Sequence, residues 1–262
     1  MPLSRRLRAL AAACAAGAVL LAAPAVACAS GVPAAGCGPT RIAEAAPFGS
    51  GACTGVRPGA RLYVDTNYCS WSFLFKGSDG ARYATTAGHC ILGESVLGER
   101  RWPAGKGPVV KDDAQRAVGR AVYAISGEQA DFAVVRLDRG VKSSPEMCHF
   151  GGPTRLTTRV SGDEVLLTHF GQGVGAYSTT PARTSYGFFG LYRPDYIYAY
   201  GAVSIGDSGA GITTQSGEAV GVITDLSTPF TGNFQINRYA PHLARVRSLL
   251  KLRLTLLTAP LR

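Results

Sequence analysis

Three polar residues in this chain have the side-chain types that acyl transfer to a serine hydroxyl requires. Ser208 lies in the glycine-rich stretch Gly206-Asp207-Ser208-Gly209-Ala210-Gly211. Glycines allow backbone angles that other residues avoid, so such a turn can expose the hydroxyl and aim two backbone N–H groups at one point. An isolated stretch of this kind is more often a plain turn between strands. It predicts a nucleophile only if a base and an orienting acid lie elsewhere in the chain.

His89 and Asp131 are the candidates for those two partners. His89 belongs to the stretch Thr86-Ala87-Gly88-His89-Cys90, and Asp131 directly precedes the apolar stretch Phe132–Leu137. Taken singly, each is also compatible with an ordinary residue at the end of a strand. In the order His, Asp, Ser, they predict a general base, a carboxylate that orients it, and a nucleophile.

The elements that would hold these residues are short strands. Ser70–Phe75 and Arg82–Ala87 predict a hairpin whose turn is Gly77–Gly80, with His89 following the second strand. Many further short stretches rich in Val, Thr and Tyr, separated by turn residues, favour an all-β barrel or sandwich. After Pro241, apolar residues recur at helical spacing with basic residues between them, which predicts a C-terminal helix over about 241–256.

The N-terminus has the pattern of a secretory signal peptide. A basic start precedes the apolar run Leu10–Val26 and the small residues Ala27-Cys28-Ala29. We expect residues 1–29 to be removed, with Ala25 as a second choice for the cleavage point. The apolar run is short for a transmembrane helix. The sequence therefore predicts a secreted, extracellular protein without stable membrane association.

Composition excludes several other classes of protein. The chain is 46% hydrophobic and 17% charged, which is typical of a globular domain. Its formal net charge is +10, but the basic residues are scattered along the sequence. They do not form a basic stretch interleaved with aromatic residues, so no nucleic-acid partner is predicted. The cysteine spacing does not match a zinc site, and no cofactor is predicted. We expect a monomer whose partner is a protein or peptide substrate.

Cysteine usage fits an exported chain. Five cysteines follow the signal peptide, at positions Cys37, Cys53, Cys69, Cys90 and Cys148. Cys69 begins the first strand of the predicted hairpin and Cys90 follows the second, so a bridge between them is expected. Cleavage at Arg41-Ile42 would leave an even count and favours a Cys53–Cys148 bridge, with Cys37 removed or free. A Cys37–Cys53 bridge is the alternative.

The motifs taken together resemble those of the chymotrypsin superfamily of serine proteases (trypsin-like, family S1). Within it, the chain is most similar to the streptogrisin-like secreted bacterial proteases. The resemblance extends over about residues 57–245. It lies in Cys69-Ser70, Thr86–Cys90, Asp131–Leu137 and Gly206–Gly209.

This resemblance implies a domain organisation. Two antiparallel six-stranded β-barrels, about 57–145 and about 146–240, would have the active site in the cleft between them. They would form a protease domain of residues 57–262, with the C-terminal helix beyond the second barrel. Residues 30–56 would be a flexible leader or short pro-segment.

The resemblance also implies roles for individual residues. His89 would take the proton of Ser208, and Asp131 would orient His89. The backbone N–H groups of Gly206 and Ser208 would bind the oxyanion. Asp207 would shape the loop.

Four residues fall at positions that bind substrate in this superfamily, namely Ala202, Thr224, Asp225 and Leu226. Thr224 matches a hydroxyl residue whose neighbours pair with the substrate backbone. Asp225 and Leu226 replace an aromatic–glycine pair. Ala202 falls where relatives specific for Lys or Arg have an acid, so a P1 preference other than basic is predicted. Ala210 also departs from the pattern, which has glycine there.

The leading hypothesis is a secreted serine endopeptidase acting through an acyl-enzyme intermediate. Three alternatives remain open at this point. The chain could be a catalytically weak homologue that serves as a secreted binding module, an esterase-like hydrolase, or a non-enzymatic β-barrel surface protein.

Overall fold

The structure is a computed structural model that describes residues 53–128, 130–157, 165–173, 183–187, 195–201, 203–226 and 233–261. The predicted signal peptide, the leader up to residue 52, Cys37, Arg41-Ile42 and Ala202 lie outside these ranges. Within them, no helix combines the length and apolar character needed to cross a membrane.

The described chain is built mainly of strands. In chain order these are β1 (Arg61–Val64), β2 (Asn67–Ser70), β3 (Leu74–Gly77), β4 (Arg82–Thr86), β5 (Gly98–Arg101), β6 (Val109–Asp112), β7 (Ala117–Ser126), β8 (Phe132–Leu137), β9 (Arg155–Leu156), β10 (Val165–His169), β11 (Arg183–Gly187), β12 (Tyr196–Gly201), β13 (Gly211–Thr214), β14 (Glu218–Leu226), β15 (Asn233–Arg238) and β16 (Leu254–Leu256). The helices are α1 (His89–Leu92) and α2 (Tyr239–Leu250).

The first sheet has the strand order β16-β3-β4-β8-β7-β6-β1-β2, with β5 paired to β7. Its ladders are antiparallel throughout. β3 and β4 form the hairpin expected from the sequence, and Gly80 in its turn has φ 81°, a conformation that favours glycine. β8 is apolar and almost wholly buried, as expected of a central strand.

The second sheet has the order β13-β10-β11-β12-β15-β14-β9. A further pairing of β13 with β14 links six of these strands in a ring, and β9 joins β14 in parallel. The predicted all-β class, with two antiparallel units and a C-terminal helix, is confirmed.

Helix α2 connects the two sheets. It follows β15 of the second sheet, yet its first residue, Tyr239, is buried among the aromatic residues of the first core. The Tyr239 ring lies 5.8 Å from Phe73, 5.5 Å from Phe75 and 5.9 Å from Phe132. Its hydroxyl hydrogen-bonds with Thr85 Oγ1 at 3.1 Å. These contacts fix the start of α2 against the sheet that contains β4 and β8.

The C-terminal helix is shorter than the sequence predicted. It ends at Leu250 rather than near 256, because Lys251 takes a left-handed conformation with φ 54°. Residues beyond it form β16, which pairs with β3. The apolar spacing of Leu250 and Leu254 continues past the turn, but pairing with a sheet edge decides the conformation.

Candidate active site

His89 is the first residue of α1, after β4 ends at Thr86. Gly88 brings α1 close to β7, since a Cβ at this position would overlap the Ile125 carbonyl. The predicted Cys69–Cys90 disulfide is present and ties α1 to β2. The sequence placed Cys69 in the hairpin, whereas it lies in β2, which precedes β3.

Asp131 binds His89 through both of its carboxylate oxygens. The ring Nδ1–H donates to Oδ2 at 2.6 Å, and the backbone N–H donates to Oδ1 at 2.9 Å. With Nδ1 as the donor, Nε2 is the ring nitrogen that can accept a proton. Asp131 is buried at the start of β8. The carboxylate thus sets both the position and the tautomer of the imidazole.

Charge around His89 favours its protonated form. Burial acts to lower the pKa of His89, but the hydrogen bond and negative charge of Asp131 act in the opposite direction. The carboxylates of Glu94 and Asp225 add to this effect. The pKa of His89 is therefore raised above its ordinary value.

A buried hydrogen-bond network holds Asp131 from behind. The backbone N–H of Asp131 donates to Asn237 Oδ1 at 2.9 Å, and Asn237 Nδ2 donates to Thr224 Oγ1 at 2.8 Å. His242 Nε2 donates to the same Asn237 oxygen at 3.1 Å. Because Asn237 and Thr224 lie on β15 and β14, the network joins the second sheet to the start of β8.

His242, which donates to Asn237, is itself fixed by packing against β8. Its ring stacks on Phe132, with centroids 4.9 Å apart and planes at 11°. Burial lowers the pKa of His242 to about 4. The residue is thus a neutral hydrogen-bond donor in the fold near pH 7.

Ser208 lies in the turn before β13, and Ser70 of the first sheet holds that turn. The Ser70 N–H donates to the Ser208 carbonyl and the Ser70 hydroxyl to the Gly206 carbonyl, both at 2.8 Å. Gly206 has φ 98° and Gly209 has φ 88°. Among the described hydrogen bonds, the N–H groups of Gly206 and Ser208 have no acceptor.

Asp207 is fully buried and holds the turn from within. Its carboxylate accepts the N–H of Gly173 at 2.8 Å and the N–H of Ser204 at 2.9 Å. A Cβ on Gly171 or Gly173 would overlap the carboxylate. Backbone donors therefore fix Asp207 on one side of Ser208.

A cavity of about 490 Å³ lies where these residues meet. Both sheets contribute to its lining, which includes His89, Asp131, Ser208, Thr224 and Asp225. His89 and Ser208 face this cavity without a hydrogen bond between them. The His89 Nε2 atom lies 3.7 Å from the Cys90 sulfur instead.

Two of the four predicted substrate-binding residues line the cavity, and the side chains of the other two lie outside the described part of the chain. Thr224 is buried and Asp225 is exposed, and both line the cavity. Leu226 is the last residue of β14, but its side chain is outside the described part, as is Ala202. Ala210 is buried in the core of the second sheet.

Cys53 and Cys148 are thiols and not a disulfide in the structure, so the predicted bridge is not formed there. The Cys53 sulfur lies 3.3 Å from His149 Nε2. A hydrogen bond with Cys148 lowers the pKa of Cys53 to about 6 despite burial, with smaller contributions from His149 and Arg57. Burial raises the pKa of Cys148. The two thiols are therefore neighbours of unequal acidity.

Metal ligation has little support in the described residues. The one grouping of three ligand-type side chains there is Cys69, His89 and Cys90. The two sulfurs are bonded to each other, so they offer no thiolate ligand.

Sequence reasoning missed Ser70, Asn237 and His242. Ser70 was visible only as the neighbour of Cys69 in a motif. Asn237 lies 106 residues from Asp131, and nothing local to it marks the contact. His242 falls on the buried face of the predicted helix, and this position is the sequence feature that could have identified it.

Solved structures with the same arrangement of strands are bacterial serine proteases. A glutamic-acid-specific serine protease that uses a histidine triad in substrate binding is 18% identical, with a TM-score of 0.52 over 77% of this chain and 100% of that one. Thermobifida fusca protease A is 16% identical, with a TM-score of 0.53 over 77% and 98%. Cellulomonas bogoriensis chymotrypsin is 19% identical, with a TM-score of 0.51 over 76% and 97%.

The fold is that of the chymotrypsin-like serine proteases. At these identities the likeness is one of fold. The sequence matches no family model and no curated protein.

Proposed function

We propose that the chain is a secreted serine endopeptidase that cleaves peptide bonds in protein substrates through an acyl-enzyme intermediate. The observation that supports this most strongly is the doubly hydrogen-bonded His89–Asp131 pair facing the same cavity as Ser208. His89 and Asp131 adjoin β4 and β8 of the first sheet, whereas Ser208 precedes β13 of the second.

In the proposed mechanism His89 Nε2 takes the Ser208 proton as the serine oxygen attacks the scissile carbonyl carbon. The same nitrogen then gives the proton to the leaving amine, and water repeats the sequence to release the acid. Asp131 keeps Nδ1 protonated and stabilises the imidazolium. The acceptor-free N–H groups of Gly206 and Ser208 bind the oxyanion, a role worth about 3–4 kcal/mol per donor in proteases.

A second candidate function has its own supporting observation. His89 and Ser208 share no hydrogen bond in the structure, and His89 Nε2 lies nearer to the Cys90 sulfur. Proteolysis requires the imidazole and the hydroxyl to approach each other during catalysis. A chain in which they do not would be a catalytically weak homologue that binds polypeptides.

Specificity for glutamate, described for one similar structure, is not expected here. His89 is the only histidine lining the cavity within the described residues, and the cavity also contains exposed carboxylates. We propose a P1 preference for small or apolar side chains rather than basic ones, on the basis of Ala202. Faster cleavage of reporter peptides with P1 Arg or Lys than of apolar ones would contradict this.

A fluorophosphonate probe tests the proposed chemistry directly. We expect covalent labelling of Ser208 in the processed protein, and loss of labelling in His89→Ala and Ser208→Ala. Asn67→Ala, an exposed change in β2, is the matched control that should label normally. Absence of labelling in the wild-type protein would favour the binding-module function.

A further inference from the structure

The cavity around Ser208 has an acidic wall, although the whole chain has a formal net charge of +10. Glu94, Glu128 and Asp225 line it together with Ser208, and no lysine or arginine does so among the described residues. All three carboxylates are exposed. None takes part in an ion pair within the described ranges.

Gln235 brings two of these carboxylates to the same wall. Its buried side chain donates from Nε2 to the Glu128 carbonyl at 3.1 Å. Its own carbonyl accepts a hydrogen bond from Thr224 Oγ1 at 3.3 Å, and Thr224 directly precedes Asp225. The segment before β8 and strand β14 therefore meet at one buried glutamine, with Glu128 and Asp225 beside it.

The carboxylates of this wall act electrostatically on His89, the proposed general base. Glu94 and Asp225 both act to raise the pKa of His89. A cationic group placed among these carboxylates would lie within range of the same field.

Apolar side chains accompany the acidic ones. Leu97 and Ile205 also line the cavity and are 70% and 59% exposed. Lysine and arginine combine an aliphatic stem with a charged head, so they match an apolar surface beside carboxylates. Under the proposed function the ligand here is a peptide, whose scissile carbonyl carbon must lie next to the Ser208 hydroxyl.

We propose that the substrates are cationic polypeptides with lysine or arginine at a position beside P1, held by Glu128 and Asp225 with a contribution from Glu94. This inference rests on the proposed proteolytic function. Asp225, on β14, is itself among the predicted substrate-binding residues, but Glu94 and Glu128 belong to the part of the chain that forms the first sheet. The prediction for P1 rests on Ala202, which is not one of these carboxylates. The basic side chain is therefore assigned to a neighbouring subsite.

Peptides with alanine at P1 and a single varied position test the proposal. We expect a lysine at one of the two positions on either side of P1 to raise kcat/KM about tenfold over glutamine, and glutamate to lower it. The preference should shrink in about 0.5 M salt, because the carboxylates are exposed. In the double variant Glu128→Gln, Asp225→Asn it should fall to about twofold.

Asp138→Asn is the matched control, since it removes an exposed carboxylate outside the cavity and should leave the lysine preference intact. Peptide binding to Ser208→Ala, followed by fluorescence anisotropy, gives a readout that needs no catalysis. There the lysine peptide should bind about tenfold more tightly than the glutamate peptide.

The two proposals fail separately. Cleavage or binding without a charge preference would overturn the cationic-substrate inference and leave proteolysis standing. Absence of Ser208 labelling would overturn proteolysis, while peptide binding to Ser208→Ala would still decide whether the wall selects cations.

Discussion

The imidazole of His89 is held by one buried carboxylate and exposed to the field of others. Asp131 makes two hydrogen bonds to it, whereas Glu94 and Asp225 act through space. The buried contact fixes its geometry, and the solvated charges adjust its basicity. At the scale of residues, one carboxylate therefore positions the His89 ring, and other carboxylates adjust the pKa of that ring.

We expect the pH dependence of kcat/KM to show this tuning. A general base must be neutral, so activity is present above the pKa of His89 and is lost as the pH falls through it. Because that pKa is raised, the midpoint should lie above the ordinary value of 6.5. Rates on an uncharged peptide from about pH 5 to 9 measure it.

Removal of one charge tests the cause. Glu94→Gln should move the midpoint to lower pH, and Asp138→Asn should not move it. A wild-type midpoint at or below 6.5 would contradict the electrostatic account.

Asn237 should contribute strongly to stability. It is 0% exposed, and replacement by alanine leaves the Asp131 N–H and the Thr224 hydroxyl without this partner. Loss of buried hydrogen bonds of this kind costs about 2–4 kcal/mol for the pair. Urea unfolding of Asn237→Ala should show this loss, while exposed Asn67→Ala should change by less than about 0.5 kcal/mol.

At the scale of elements, the sequence predicted what local patterns can show. The β3–β4 hairpin and the start of β8 at Phe132 follow from turn residues and an apolar run. Helix α1 has only four residues, too few for periodicity to reveal. Contacts between the sheets, such as that of Asn237 with Asp131, depend on how segments far apart in the sequence pack together. Local sequence patterns carry no signal for such contacts.

Gly88→Ala tests whether α1 must approach β7 this closely. The added methyl group would meet the Ile125 carbonyl, so α1 and His89 must move away from Asp131. We expect a loss of at least about 2 kcal/mol in unfolding free energy and a tenfold or greater fall in kcat/KM.

Gly105→Ala is its control. Gly105 has open space around it, and only its φ of 80° disfavours alanine, which costs about 1 kcal/mol. Wild-type kinetics in Gly88→Ala would show that α1 tolerates the displacement.

At the scale of the whole molecule, further connections join the sheets in addition to the hydrogen bond between Asp131 and Asn237. Ser70 binds the Ser208 turn, Tyr239 enters the first core, and β16 returns to β3. β16 follows the second sheet in the chain and yet pairs with β3 of the first sheet. No periodicity in the sequence indicates that residues 254–256 belong to the first sheet.

The Cys53–Cys148 bridge remains a prediction at this scale. The two thiols are neighbours, and the lowered pKa of Cys53 favours a thiolate that attacks a small disulfide, forms a mixed disulfide and releases one small thiol. Cys148 then attacks the Cys53 sulfur of this mixed disulfide, so that the Cys53–Cys148 bond forms and the second small thiol leaves. We expect non-reducing peptide mapping of the secreted protein to recover the Cys53–Cys148 pair. The Cys69–Cys90 pair in the same digest is the internal control, and recovery of Cys37–Cys53 would contradict the assignment.

β16 is the last strand in chain order among the described residues. Until Leu256 has emerged, β3 has an open edge, and the sheet next to His89 and Asp131 is incomplete. Tyr239 likewise reaches the first core only late in synthesis. The first sheet, which positions His89 and Asp131, is therefore completed only after α2 and β16 have left the ribosome.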